Sequence, residues 1–286
     1  MGGAMSANTP TNPVLYGGGT LPVTIDDLRA IGKALMAVMP TCRAAKDAKR
    51  TVQIGAGGDT THPIDKAAED IIISYLEALQ RPMTIVSEER GIMDVNGGGH
   101  RVIIDPIDGS RNAVYGLPIF STSIALSSGT TMGECYMGYI INLISGDEFY
   151  AAKGQGAFLN DTRLHGQHSE ETEIVLYECR EPARELPGLL RLFSMSRRQR
   201  CLGSTALDIA YVASGAGAVF VSPSTSRSFD FAAGLVIVRE AGGVITDIEG
   251  KTIDHIEINL QRSTTILASV NNAVHTMALQ ALRGKT

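Results

Sequence analysis

The chain has 286 residues, 44% of them hydrophobic and 19% charged, which suffices for one large domain or two closely packed halves around a substantial core. A formal net charge of −5 gives no electrostatic reason to expect nucleic acid or an anionic membrane as a partner. No apolar run approaches the roughly 20 residues of a membrane span, and the N-terminus lacks a basic-then-apolar signal pattern, so a soluble cytoplasmic protein is expected.

Residues 1–20, rich in Gly, Pro and Thr, read as a flexible arm. From 24 to about 48, Leu28, Ile31, Leu35 and Val38 follow the helical period, and Thr24 with Asp27 resembles a capping box. Pro40 is expected to kink or shorten that helix. After the glycine-rich "QIGAGGDTTHPID" a second helix is expected over about 64–80, with Ile71, Ile72, Tyr75, Leu76 and Leu79 as its buried stripe and Pro63 in its first turn. Strands dominate 83–160: "MTIVS", "RVII", "FSTSIALS", "ECYMGYIINL" and "EFYAA". Asn160-Asp161 is a turn signal there, and "GGGH" at 97–100 reads as a hairpin turn. From 174 strands and helices alternate: "IVLYEC", a helix over 186–195, another over 204–214, "AVFVS", a helix over about 230–240 ending at Gly242, "GVITD", "TTILASV" and a closing helix over 272–282. Without repeats or a low-complexity linker, residues 21–170 read as an α+β half with an antiparallel sheet and 171–286 as an α/β half of one compact unit.

Three acidic sites sit where a strand ends or a helix begins. "TIVSEERG" closes a strand on Glu88 and Glu89. "VIIDPIDGS" sets Asp105 and Asp108 around Pro106, which forces Asp105 into an extended conformation. "RSFDFAAGLVIVREAGG" opens a helix at Asp230. Two carboxylates about 4.5 Å apart repel by roughly 4 kcal/mol at an effective dielectric of about 20. Such a pair is loose in solvent, shares a proton or is bridged by a cation. Strand ends and helix starts can converge on one crevice, and oxygen ligands are what Mg²⁺ takes. Gly109 permits a tight turn, Ser110 can cap a following helix, and free N–H groups there would hold a phosphate. Against this, an aspartate ahead of a helix is more often only a cap, and D-x-x-D alone is a weak motif. A haloacid-dehalogenase-type phosphatase would need D-x-D after its first strand, and "DPIDG" excludes that reading.

In combination, "GGDTTHPID", "SEE", "DPIDGS" and "FDFAAG…EAGG" resemble, in order and spacing, the motifs of the inositol monophosphatase superfamily from about residue 28 to the end. Within it, "GAGGDTTHPIDKAAED" and "LGSTALDIAYVASG" are most similar to the archaeal-type bifunctional fructose-1,6-bisphosphatase/inositol monophosphatase. The resemblance implies a layered α-β-α-β-α sandwich, usually a homodimer, and phosphomonoester hydrolysis with two or three Mg²⁺ ions. It implies Glu88, Asp105, the Ile107 carbonyl, Asp108 and Asp230 as metal ligands, and Ser110 paired with Asp65 to position the attacking water. Asp108, Gly109 and Ser110 would hold the phosphate. One ion then activates water and another stabilises the leaving oxygen, with no covalent nucleophile.

The sequence departs from that pattern in places. The family loop often reads G-A-D-G-T-P-T, whereas 55–61 is "GAGGDTT", with the acid moved to Asp59. Asp59 reads either as a lid-borne ligand of a further Mg²⁺ or of the water, or as a plain turn aspartate. Where relatives carry a charged substrate contact seven residues before Asp230, this chain has Pro223. Phe229 replaces a tryptophan of some relatives and reads as packing. "SMSRRQRCLGS" concentrates Arg197, Arg198 and Arg200 in what is either a solvated basic loop or a border of the sugar site. In the second case Arg198 and Arg200, with Arg227, would meet a second phosphate. His165 and His168 read as part of a polar turn rather than a metal pair, and "KGQGAF" lacks the third glycine of a dinucleotide fingerprint. Cys42, Cys135, Cys179 and Cys201 form no C-x-x-C pair and read as reduced thiols. The expected function is a sugar-phosphate phosphatase acting on fructose-1,6-bisphosphate and inositol monophosphate, with a small phosphate ester as its partner. The alternatives are a nucleotide 3′- or 2′-phosphatase of the phosphoadenosine or NADP type, and a non-catalytic sugar-phosphate-binding regulator. The complete ligand set argues against the regulator.

Overall fold

The computed structural model describes residues 21–44, 49–166 and 171–284. The 1–20 arm, the expected last turn of the first helix at 45–48 and His168 lie outside the described residues. Helix α1 (Ile25–Ala44) opens on the expected capping box: Asp27 Oδ2 accepts from the Thr24 N–H at 2.9 Å and Thr24 Oγ1 from the Asp27 N–H at 3.2 Å. It continues past Pro40, which lies on the exposed side, where water can hydrate the carbonyl it leaves free. A small hairpin, β1 (Gln53–Ile54) and β2 (Thr60–Thr61), leads into α2 (Pro63–Ala78). Helix α2 buries Ile64, Ala68, Ile72, Ile73 and Leu76, so Ile73 takes the place the periodicity gave to Ile71.

The large sheet comprises β3 (Met83–Ser87), β4 (Gly91–Val95), β5 (Arg101–Asp108), β6 (Ser121–Ser127), β7 (Cys135–Asn142), β8 (Glu148–Ala152), β9 (Gly156–Leu159) and β10 (Thr162–Arg163), with helix α3 (Ser110–Tyr115) between β5 and β6. Its order is β10-β9-β8-β7-β6-β5-β3-β4. Asn160 and Asp161, at φ 48° and 65°, make the expected turn between β9 and β10. Two expectations fail here. The sheet is not wholly antiparallel, because β3 and β5 run parallel. Nor is "GGGH" a hairpin turn: β4 pairs with β3, and 96–100 carries the chain across to β3's other side. The actual hairpin turns at 88–90, ahead of Gly91 at φ 85°. Glycine relieves the left-handed backbone there, a signal the run of acids hides.

Alternation along each strand divides the buried residues between two cores. Val102, Ile104, Ile124, Leu126, Met137, Tyr139 and Ile141 face α1 and α2, whereas Ile103, Ala125 and Ile140 face inward. Both faces are covered, so these strands read as continuous apolar runs.

The second sheet, order β12-β11-β13-β15-β14, comprises β11 (Ile174–Tyr177), β12 (Arg198–Arg200), β13 (Val219–Arg227), β14 (Val244–Thr246) and β15 (Arg262–Ser269). The basic stretch is therefore an edge strand rather than a loop, parallel to β11. Helix α4 (Pro182–Ser194) starts earlier than expected because Pro182, not Pro187, occupies the first turn. Helices α5 (Thr205–Ser214) and α6 (Ser228–Glu240) fill the space between the sheets, and every residue of α6 from Ser228 to Val238 is buried. Helix α4 and the last helix, α7 (Asn272–Leu282), pack together beyond the small sheet. The result is the expected α-β-α-β-α sandwich. Among the described residues, no helix is long and apolar enough to cross a membrane.

Candidate active site

The parallel pairing of β3 and β5 creates the site. It aligns Ser87 with Ile104, so both strands deliver their C-terminal ends, and the carboxylates beyond them, to one edge of the sheet. Val86 and Ile103 point into the inner core, and two residues later Glu88 and Asp105 line the same cavity. The Glu88 N–H donates to the Ile104 carbonyl at 3.2 Å, which ties the ends together.

Asp108 reaches the cavity by a different device. In a regular strand, residues three apart face opposite sides. Here β6 sets Ser123 against Asp105 and Ser121 against Asp108, so β5 carries one extra residue, a bulge at Pro106-Ile107. Proline has no N–H to contribute to the ladder, and its carbonyl accepts from Thr122 Oγ1 at 2.7 Å. The bulge resets the alternation, and Asp105 and Asp108 both line the cavity, with Ile107, Gly109, Ser110 and Arg111. Asp108 Oδ2 is held at the start of α5, accepting from Ser204 Oγ at 2.5 Å and the Ala206 N–H at 2.7 Å. Ser110 Oγ donates to the Ile107 carbonyl at 2.8 Å and also stands beside Asp65, its expected partner, whose proton affinity it lowers. Asp65 sits at N3 of α2, where its Oδ2 accepts from the His62 N–H at 2.6 Å, and its buried Oδ1 has no partner.

Asp230 enters from the middle layer at N3 of α6, where Oδ2 accepts from the Arg227 N–H at 2.7 Å. Arg227, expected at a substrate phosphate, is engaged instead by carboxylates. Its guanidinium lies 3.0 Å from Glu88, 3.2 Å from Asp230 and 2.8 Å from Asp59. The face of Phe229 lies 4.5 Å from it, so Phe229 packs against a cation. Asp59 belongs to the β1–β2 turn, which docks on the site through Ala56 N–H to the Glu89 carbonyl at 3.1 Å and Gly57 N–H to the Glu88 carbonyl at 2.7 Å. The cavity, about 520 Å³, is completed by Glu178, Cys179 and Arg180 at the end of β11, and by Gly203 and Thr205 at the start of α5.

This concentration of acids raises proton affinity. Burial pushes Asp65 up to about 6 and Glu89 up to about 7. Glu88, Asp105 and Asp108 are raised by burial first; Asp230 adds to all three, while Arg227 opposes the rise at Glu88 and Asp105. Asp208 on α5, with both oxygens buried and unpartnered, is pushed well up by burial and by Glu178 and Asp108. A carboxyl whose pKa is higher folded than unfolded makes the native state bind more protons, so stability is lost as pH rises through that interval. Protein stripped of divalent cations should therefore melt at a lower temperature at about pH 8 than at about pH 6.5. Below that, the neutral His275, pushed down to about 4 by burial, works in the opposite sense. Thermal melts in chelator across this range check the sign; a flat profile would mean that the acids ionise freely.

Of the expected site residues, the structure brings Asp59, Glu88, Asp105, Ile107, Asp108, Gly109, Ser110, Arg227 and Asp230 into the cavity wall, with Asp65 behind Ser110. It does not bring Arg198 or Arg200, which are exposed on the edge strand β12 and outside the cavity lining; Arg197 is exposed nearby, in contact with Glu173. His165 is exposed and outside the lining. Sequence reasoning did not pick out His62, Arg111, Glu178 or Arg180. Glu178 was within reach, because "IVLYEC" ends on an acid just as "TIVSEE" does.

The family described as inositol monophosphatase matches residues 22–285. The fructose-1,6-bisphosphatase/inositol-1-monophosphatase of Methanothermobacter thermautotrophicus is 35% identical over 83% of this chain and 88% of its own length. A fructose-1,6-bisphosphatase of Pyrococcus furiosus is 36% identical over 73% of this chain and 78% of its own. The crystal structure of extragenic suppressor protein suhB from Bartonella henselae superposes with a TM-score of 0.77 at 28% identity, covering 91% of this chain and 98% of that one.

Proposed function

This chain belongs to the inositol monophosphatase family and is a hydrolase of phosphoric monoesters; we propose that its substrate is a sugar or polyol phosphate and its cofactor Mg²⁺. The observation that carries this reading is the convergence of Glu88, Asp105, Asp108 and Asp230 with the Ile107 and Gly109-Ser110 backbone in one cavity. The donors are all oxygen, as a hard divalent cation requires, and the buried Asp105 Oδ1 has no partner. Among the described residues no three Asp, Glu, His or Cys side chains yet gather as a ready ligand set. Arg227 lies against two of them.

Glu88, Asp105, the Ile107 carbonyl, Asp108 and Asp230 would hold the ions. Bound there, Mg²⁺ would activate water and stabilise the charge developing on the phosphoryl and leaving oxygens. The chain's own residues do the positioning. Ser204 and the Ala206 N–H fix one oxygen of Asp108, so its other oxygen is left for the cavity. With the Ile107 carbonyl given over to an ion, Ser110 Oγ, already beside Asp65, would donate to Asp65 Oδ1 and orient the attacking water. Asp65, already raised by burial, can accept the proton passed on through Ser110. The Gly109-Ser110 turn and Arg111 form the wall for the phosphoryl oxygens. Among the described residues the lining contains no Phe, Tyr or Trp on which a base could stack, so a sugar is favoured over a nucleotide. Phosphate release over a panel of fructose-1,6-bisphosphate, inositol monophosphate, phosphoadenosine and NADP tests the assignment. Preference for either nucleotide would overturn it.

The second phosphate of a bisphosphate is assigned to Arg180 in place of Arg198 and Arg200. Arg180 lines the cavity beside Glu178, and no carboxylate among the described residues forms an ion pair with it. A charge-assisted contact contributes about 1.5 to 3 kcal/mol, so Arg180→Ala should raise KM for fructose-1,6-bisphosphate by roughly 10- to 150-fold. Inositol monophosphate should be spared, and Arg198→Ala should change neither. Steady-state kinetics on both substrates decide: equal losses on the two would make Arg180 structural.

A further inference from the structure

Arg227 has a place in the site that a substrate contact would not need. One guanidinium edge, Nη2, lies 3.0 Å from Glu88 Oε1 and 3.2 Å from Asp230 Oδ1. The other, Nη1, lies 2.8 Å from Asp59 Oδ2 and donates to the Gly57 carbonyl at 3.1 Å. A single side chain, 6% exposed, thus joins two proposed metal ligands to the 55–59 loop. The loop is shaped to sit on it. A Cβ at Gly57 would lie 3.0 Å from Phe229 Cζ and 3.2 Å from both Arg227 Nη1 and Glu88 Cγ, so a side chain there would crowd all three neighbours and glycine seats the loop without displacing them. The fit is nevertheless incomplete, because Arg227 Nε is buried without a partner.

We propose that Arg227 is a built-in counter-ion, which fills the cation position between Glu88 and Asp230 when no metal is bound and is exchanged for the metal on loading. This rests on the Mg²⁺ reading above. Glu88 and Asp230 cannot serve a divalent cation and keep a guanidinium on the same oxygens, since the two cations repel. Metal entry therefore drives Nη2 away. A rigid planar guanidinium cannot move one edge without the other, so the contacts of Nη1 with Asp59 and Gly57 loosen with it. Arg262 Nη2, 3.2 Å from the same Asp59 oxygen, retains the loop at the rim, and the loop is loosened rather than lost. Occupancy of the metal site is in this way transmitted to the loop over the cavity.

The test uses full-length protein and Mg²⁺ alone, without substrate. Titration calorimetry should show Arg227→Gln binding Mg²⁺ about 10- to 150-fold more tightly than wild type, the reach of a lost charge-assisted competitor. In chelator the variant should melt below wild type, and saturating Mg²⁺ should close the gap. Hydrogen exchange of the 55–59 amides should quicken when Mg²⁺ is added to wild type. In Arg227→Gln it should be fast from the start and indifferent to Mg²⁺, a pattern that a merely structural arginine would not give. Equal or weaker Mg²⁺ binding by the variant overturns the exchange and leaves the metal site standing. Should Arg227→Gln fail to fold, wild-type exchange decides alone, and loop amides unmoved by Mg²⁺ binding overturn the proposal. Mg²⁺ binding to neither protein removes the metal reading and the exchange together.

Discussion

Asp108→Asn should lower turnover by about 10²-fold or more, the scale on which a preorganised charged group at the reacting centre is felt. The protein should fold as before. Asp108 Oδ2 accepts from the Ala206 N–H and from Ser204 Oγ. An asparagine oxygen can take the Ala206 bond, and the Ser204 hydroxyl can adapt as donor or acceptor. The amide group is then presented to the cavity, where a neutral donor repels a cation and cannot ligate it. Burial and the neighbouring Asp230 hold the Asp108 proton affinity high. Removing its charge relieves that repulsion, and in chelator the variant should melt at or above the wild-type temperature. Turnover and melting are measured on one preparation. Loss of activity accompanied by unfolding would make Asp108 a structural residue, and near-wild-type turnover would remove it from the site.

The acids were legible because the three stretches that carry them end a strand or start a helix, and those boundaries follow from local pattern. What brings them together was not legible. Nothing in "SEERGIMDVNGGGH" states that 96–100 crosses β3 to make a parallel pair, since strand neighbours are chosen by packing among eight strands. The bulge at Pro106-Ile107 was legible in part. Proline forbids a regular ladder, but its effect on the facing of Asp108 requires the partner strand. The helices of the middle layer were found by their length, although α6 has no polar face to mark its orientation.

The arginines show the limit more sharply. Composition drew attention to Arg198 and Arg200, which with Arg197 put three arginines into four positions, yet β12 is an edge strand and leaves them in solvent. Arg227 and Arg180 stand singly in the sequence and reach the cavity because β13 and β11 end there. A long side chain's destination is set by the element beneath it, and charge clustering along the chain does not report that.

Exhaustive removal of divalent cations should abolish phosphate release, and Mg²⁺ should restore it. The electrostatics of the site lead to this result. Glu88, Asp105, Asp108 and Asp230 approach where negative charge must build up on the phosphoryl and leaving oxygens, and carboxylates alone can only oppose it. Two of the chain's own cations near these acids are already committed. Arg227 is held by Glu88, Asp230 and Asp59, and Arg262 by Asp59 and the Thr225 carbonyl at 3.1 Å. Arg111 and Arg180, which form no ion pair among the described residues, line the cavity where the proposed phosphate and sugar would lie, and there they would bind the substrate's charge without activating water. Ca²⁺ should restore little, because its contacts of about 2.3 to 2.6 Å are longer and looser than the roughly 2.0 to 2.1 Å octahedral shell of Mg²⁺. A melt in the same chelator must show that the protein remains folded, so that lost activity is not lost structure. Full turnover by folded, metal-free protein would sink the mechanism, because among the described residues no other group in the cavity is placed to supply the missing positive charge.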